Sequence, residues 1–234
     1  VKSVAQVLKE IDEVADQHDL PSPYLVGGAV RDLLLDKSPS DYDITCGEID
    51  ALGLADNFAR EKHIPLRVYR SGAKKLRYSG LDLDFSPHTI YTKGNSPFLD
   101  ELFSRDYTIN AMLIACSNGK FLDPCGGYED LQKGILRCAF DPETTFKNPA
   151  NAIRGVKLIA NGWTPTEDTE EGIVENLHKV SELHGYQGEK IINAAIRADP
   201  EIVVWLADRG LLSVVPQTKL LVEELRRRRM LHHV

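Results

Sequence analysis

The sequence predicts an α+β protein in two parts: a mixed sheet with flanking helices over residues 1–143, then an all-helical part over residues 144–234. Three observations predict it. The stretch Tyr24 to Thr45, YLVGGAVRDLLLDKSPSDYDIT, reads as strand, glycine turn, helix, polar turn and strand. Short strand-like runs recur from there to Phe85, where Leu81-Asp82-Leu83-Asp84-Phe85 alternates with period two. From Phe146 onward the apolar positions take a helical period and keep it.

Each element has its own signal. Val4, Val7, Leu8, Ile11, Val14 and Ala15 recur at helical spacing, giving an amphipathic helix that ends before Pro21. Tyr24-Leu25-Val26 is a short apolar strand broken by Gly27-Gly28; Val30 and Leu33-Leu34-Leu35 then form the buried side of a helix, and Asp41 to Ile44 is the next strand. Ile49 to Lys62 is a helix that buries Leu52, Leu54, Ala55 and Phe58. Leu66 to Tyr69 is a strand, Gly72 to Lys75 a basic turn, and Leu76 to Tyr78 and Leu81 to Phe85 two further strands. In the segment from Phe121 to Arg137, Pro124 and Gly126-Gly127 serve turn geometry. Pro149 suits the first turn of a helix with Ala152, Ile153, Val156, Ile159 and Ala160 on one face and Asn148, Asn151, Arg154 and Lys157 on the other. Glu167 to His184 and Gln187 to Ala198 are helices separated at Gly185, and Leu220 to Leu231 closes the chain.

Composition bounds the function. Hydrophobic content of 42% and charged content of 27% are ordinary for a globular protein. A net charge of −7 excludes the global basic field of a chain that coats nucleic acid, so any such contact is local. The four cysteines form no C-x-x-C pair, which argues against a disulfide framework or a zinc site. No stretch is long and apolar enough to span a bilayer, and Val1 to Asp12 is too charged for a signal peptide, so the expected setting is cytoplasmic, without a membrane partner.

The chemistry concentrates in Tyr24 to Thr45. Paired glycines at a strand-to-helix turn let the backbone approach a ligand closely. Alternate strand residues share a face, so Asp41 and Asp43 should project together. Side-by-side carboxylates repel unless a cation sits between them. Either feature alone reads as a tight turn or a solvated strand end. Together they suit a divalent metal in front of a phosphate-binding turn, the minimum needed to move a phosphoryl or nucleotidyl group.

Gly27-Gly28-Ala29-Val30-Arg31-Asp32 followed by Asp41-Tyr42-Asp43 resembles the signature of the class II tRNA nucleotidyltransferase and bacterial poly(A) polymerase family, a branch of the DNA polymerase β superfamily. Ser104 to Met112 is similar to the family's R-R-D-F-T-I-N-A run, with Ser104 in place of the first Arg and Arg105 as the second. The segment around Pro124 and Gly126-Gly127 is similar to D-P-x-G-G-x-x-D-L, and Ile191 to Pro216 to the family's neck. The helix after Phe146 matches E-D-P-x-R-x-x-R-x-x-R-F with departures: Lys147-Asn148 stand for Glu-Asp, Asn151 and Lys157 replace two of the Args, and Arg154 is kept.

The resemblance implies a polymerase β-like nucleotidyltransferase head, then a helical neck and partial body. It implies two Mg²⁺ ions on Asp41 and Asp43, with Asp84 as the third catalytic carboxylate and Asp82 as the fallback. It implies nucleotide contacts at Gly27, Gly28, Arg31 and Asp32, with Arg105 near the phosphates and Asp106 and Asn110 near the sugar, all on a helix. Asn148, Asn151, Arg154 and Lys157 correspond to the family's base-reading helix, where carboxamides exchange a fixed donor and acceptor pattern for groups that offer both. The implied substrates are ATP and/or CTP, with an RNA 3′ end, a tRNA above all, as acceptor. The run Arg226 to Arg229 is either a solvated face or an RNA phosphate contact. Two other readings remain open: transfer to a different acceptor (another RNA, a protein or a small molecule), and a catalytically silent nucleotide- or RNA-binding module.

Overall fold

A capping box opens helix α1 (Val4–Gln17): Ser3 Oγ accepts from Gln6 N at 3.3 Å, and Gln6 Oε1 accepts from Ser3 N at 2.8 Å. Its apolar stripe, Val7, Leu8, Ile11, Val14 and Ala15, is buried as the spacing requires. The structure, a computed structural model, describes residues 2–46, 50–70, 72–85, 105–148, 150–177 and 202–209. The chain divides into two compact units, residues 1–131 and 132–234.

The first unit is built on a seven-stranded sheet. In chain order its strands are β1 (Tyr24–Val26), β2 (Tyr42–Thr45), β3 (Leu66–Val68), β4 (Lys74–Tyr78), β5 (Leu81–Phe85), β6 (Leu113–Ala115) and β7 (Phe121–Leu122). Their spatial order is β3-β4-β5-β2-β1-β6-β7. β2 and β5 run parallel, and the neighbouring pairs are antiparallel. Helix α2 (Gly28–Leu34) joins β1 to β2, and α3 (Asp50–Glu61) lies between β2 and β3 in sequence.

The pleat divides this sheet by chemistry. One face carries the in-register row Leu66, Leu76, Leu83 and Tyr42, apolar throughout, with the last three buried. Helix α3 covers that face: Lys74 Nζ donates to Leu52 O at 3.2 Å and pairs with Asp56 at 2.6 Å, while Phe58 meets the Tyr78 ring edge-on at 5.2 Å. The other face carries the row Arg67, Lys75, Asp84 and Asp43. Lys74 and Lys75 belong to β4. The basic stretch read as a turn is shorter, because the hairpin is closed tightly by Tyr69 N to Ala73 O and Gly72 N to Tyr69 O, both 2.9 Å.

The described part of the second unit is mainly helical: α5 (Pro142–Thr145), α6 (Ala150–Ala160), α7 (Glu167–Leu177) and α8 (Ile202–Asp208), with α4 (Gly127–Lys133) spanning the division. It is not purely helical. Gly162, at φ 93°, turns the chain out of α6, and Thr164–Pro165 (β9) pairs in parallel with Ile135–Leu136 (β8). That pairing places β8 with the second compact unit, whose division from the first falls after Leu131. Among the described residues no helix is long and apolar enough to cross a membrane. The expected helix over Gln187 to Ala198, Gly185, Pro149, Ser104, the neck turn ending at Pro216, and Leu220 to Leu231 with Arg226 to Arg229 lie outside the described residues.

Candidate active site

Gly27 closes β1 at φ 76° and ψ −145°, a backbone conformation that L side chains scarcely adopt. A Cβ there would stand 3.2 Å from Asp43 Oδ2 and 3.3 Å from Arg105 Nη1, so bare backbone lies directly against a carboxylate and a guanidinium. The glycine turn, Asp43 and Arg105 are thus one constellation.

Asp43 sits in β2 with Val26 beside it on one strand and Asp84 beside it on the other. Burial pushes its carboxyl up to about 6; the Arg105 charge opposes this, and Asp41 and Asp84 add to it. Asp84 is 6% exposed. Lys75, its register partner on β4, holds Oδ2 in a close ion pair, while Oδ1 is buried without a hydrogen-bond partner among the described residues. Burial raises the Asp84 carboxyl as well, against the Lys75 hydrogen bond and charge. Asp41 stands exposed one residue before β2, where Ser40 Oγ donates to it at 2.8 Å, and its charge reaches Asp43, Asp84 and Lys75. Asp82 is elsewhere, 3.7 Å from Arg77 with its side chain 51% exposed.

A second chain of contacts flanks the turn. Arg31 donates through Nε (2.9 Å) and Nη2 (2.8 Å) to Asp32 Oδ1, and through Nη1 to Asn110 Oδ1 at 2.7 Å. Asn110 Nδ2 donates to Asp106 Oδ1 at 2.9 Å, and Asp106 Oδ1 also accepts from Tyr107 N at 2.8 Å. A Cβ on Gly28 would lie 3.3 Å from Arg31 Nη2, so the guanidinium folds back over the second glycine. Asp32, Arg31, Asn110 and Asp106 form one hydrogen-bonded line.

The helix expected around Arg105, Asp106 and Asn110 is absent. Tyr107 is extended (φ −129°, ψ 151°), and only Thr108–Asn110 makes a single 3-10 turn. Two contacts impose this. Thr108 Oγ1 donates to buried Asp130 Oδ2 at 2.8 Å, and a Cβ on Gly127 would come within 2.1 Å of Thr108 O. Gly127 is therefore a packing glycine that lets α4 touch the turn, whereas Gly126 (φ 72°) serves turn geometry. Asp130 is the second Asp of the D-P-x-G-G-x-x-D-L run, but no local pattern singles out Lys75, whose cross-strand position opposite Asp84 becomes visible only once the hairpin register is known.

The four residues three apart do not share one face of α6. Asn148 precedes the helix, and each step of three turns it back by about 60°, so Asn151, Arg154 and Lys157 spread over about 120°. Asn151 is accordingly buried at 7% exposure, donates Nδ2 to Thr145 O at 2.8 Å, and accepts from Arg154 Nη1 at 3.3 Å. Asn148, Arg154 and Lys157 are exposed, and Asn148 Oδ1 accepts from Ala150 N at 3.1 Å, capping the helix start.

A divalent ion suits this donor set. Asp84 has a buried lone oxygen, and Asp43 is burdened by neighbouring acids, so a cation would relieve both. No closed cage of three or more His, Cys, Asp or Glu occurs among the described residues. Magnesium asks for less, since it takes one or two carboxylates plus water and substrate phosphates.

Residues 23–137 match the family described as Poly A polymerase head domain. That segment belongs to the family. The head domain's relatives include a CC-adding tRNA nucleotidyltransferase of Halalkalibacterium halodurans, 28% identical over 202 residues, covering 84% of this chain and 51% of the relative. An A-adding tRNA nucleotidyltransferase of Geobacter sulfurreducens is 24% identical over 228 residues, covering 89% of this chain and 26% of the relative. The chain thus spans about half the length of the first and a quarter of the second. A solved structure described as a tRNA-processing enzyme with CTP aligns with a TM-score of 0.75 at 25% identity, covering 88% of this chain and 57% of that one. The fold of this chain is that of these enzymes, with a polymerase β-like head.

Proposed function

We propose that the chain is a metal-dependent nucleotidyltransferase that adds nucleotides from CTP or ATP to an RNA 3′ end, a tRNA above all. One observation carries the reading: Asp43 and Asp84 lie in register on parallel strands, with the Gly27 turn and Arg105 against Asp43. Relatives described as CC-adding and A-adding tRNA nucleotidyltransferases support the reaction class and the acceptor.

Asp41 and Asp43 would hold Mg²⁺, with Asp84 beside Asp43 as the third catalytic carboxylate. When bound there, the ion lowers the pKa of the attacking 3′-hydroxyl and screens the triphosphate. Gly27 and Gly28 leave room for phosphate oxygens against the backbone, and Arg105 and Arg31 supply the fork of donors that phosphate geometry suits. Asp32, Asn110 and Asp106 fix the Arg31 guanidinium, so its orientation is set before substrate arrives. In the second unit, exposed Arg154 and Lys157 are the base-reading candidates, and Asn151 acts through Arg154. None of the chain's four cysteines forms a disulfide, which suits a reducing cytoplasm.

The test supplies each labelled NTP in turn, with Mg²⁺, to tRNA lacking its 3′ CCA and to tRNA ending in CC. Incorporation by the wild type that Asp43→Asn abolishes is expected. No incorporation with any NTP on either acceptor overturns the proposal.

A further inference from the structure

We infer that the sheet edge beyond the carboxylates, presenting Arg67, Tyr69 and Lys75 on one face, is a shelf that holds the 3′-terminal strand of the acceptor RNA. This rests on the transferase reading and names the position of its second substrate.

The charge distribution comes first. Residues 62–81 contain Lys62, Arg67, Arg70, Lys74, Lys75 and Arg77 and no acid, in a chain of net charge −7. Four of these six are already matched: Lys62 to Glu10, Lys74 to Asp56, Lys75 to Asp84 and Arg77 to Asp82. Arg67 and Arg70 are exposed and have no ion-pair partner among the described residues. Between them lie Val68 and Tyr69, 66% and 46% exposed. An exposed aromatic ring flanked by unmatched guanidiniums is what single-stranded RNA uses: the ring stacks a base and the cations meet phosphates.

Register gives the direction. Arg67 pairs with Lys75, Lys75 with Asp84, and Asp84 with Asp43, so all four project from the same face. Tyr69, two residues along from Arg67, faces the same way, and Lys75 Nζ lies 5.7 Å from its ring centroid. The tight turn bond from Tyr69 N to Ala73 O, 2.9 Å, fixes the ring's base. Two strand spacings, about 10 Å, separate Arg67 from Asp84.

The in-line geometry of nucleotidyl transfer then assigns the occupant. Attacking and leaving oxygens must lie on opposite sides of the reacting phosphorus. The triphosphate groups, Gly27, Arg31 and Arg105, flank Asp43 on the β1 side, while β4 and β3 lie on the other side of Asp84. The acceptor hydroxyl must enter from that second side, where the shelf is.

The experiment measures binding of a fluorescein-labelled tRNA transcript lacking its CCA to the full chain, by anisotropy without NTP, over a range of KCl. Tyr69→Ala should weaken binding about tenfold, while Tyr69→Phe, which keeps the ring, binds as the wild type does. Arg67→Ala should reduce the slope of log K against log salt by about 0.7. In the incorporation assay both alanine variants should raise KM for RNA and leave KM for NTP unchanged. Wild-type RNA affinity in both alanine variants, or a raised KM for NTP with RNA affinity intact, overturns the assignment, as does failure of the wild type to bind the transcript. A wild type that binds RNA through this shelf but incorporates nothing overturns the transferase reading and leaves the RNA shelf standing.

Discussion

Replacing Asp43 by Asn should make the metal-free protein more stable while removing its activity. The Asp43 carboxyl titrates at about 6 instead of the ordinary 3.8, chiefly through burial, with Asp41 and Asp84 adding to it and Arg105 and Lys75 opposing it. At 1.36 kcal/mol per pKa unit this gap corresponds to about 3 kcal/mol. The sign follows from proton linkage. Between the unfolded and folded pKa values the native state keeps a proton that the unfolded state has lost, so stability falls as pH rises through that window. The penalty is absent below about pH 4 and complete above about pH 6 to 7. Asparagine has no charge to bury, so Asp43→Asn in EDTA should gain up to about 3 kcal/mol near pH 8, or about 6–12 °C in Tm for a chain of this size. Near pH 4 the two proteins should melt together. Calorimetric melts across the pH range check this, and a parallel series with Mg²⁺ should raise the wild-type Tm more than that of the variant. A variant less stable than wild type near pH 8, or a difference that does not change with pH, would refute the claim that Asp43 carries uncompensated buried charge.

Three further outcomes follow from contacts already described. Lys75→Met leaves Asp84 buried without its counter-charge; because Lys75 is 38% exposed, the loss should be about 2 kcal/mol, less than for a fully buried pair, and should shrink at low pH and on adding Mg²⁺. Urea titrations with and without the ion measure it. Gly127→Ala forces a methyl to within 2.1 Å of the Thr108 carbonyl oxygen, a backbone atom with little freedom to move, so a loss of about 3 kcal/mol in urea unfolding is expected, without any contact to substrate. Gly27→Ala meets only the ends of the Asp43 and Arg105 side chains, so its cost is the backbone strain of about 1–3 kcal/mol. Incorporation should fall far more than that stability loss explains, because the displaced groups are those proposed to bind metal and phosphate.

What the sequence left open was register, and the site residues show why. The period of α1 and the strand break at Gly27-Gly28 are local, so both are legible in the sequence by themselves. Alternation in Leu81 to Phe85 puts Asp82 and Asp84 on one face and goes no further. The parallel pairing of β5 with β2 places Asp84 against Asp43, while Asp82 lies beside Arg77. The same dependence hid Lys75, whose partner is nine residues away through a hairpin, and Gly127, whose reason lies in a carbonyl nineteen residues earlier. Asn151 misled for a different reason: a spacing of three looks like a face, but the drift per step carries it into the interior, where it holds Thr145 and Arg154 instead. Alternation alone would equally suit an exposed edge strand. Parallel pairing buries the acids side by side, and that burial gives them a charge surplus that a bound cation can relieve.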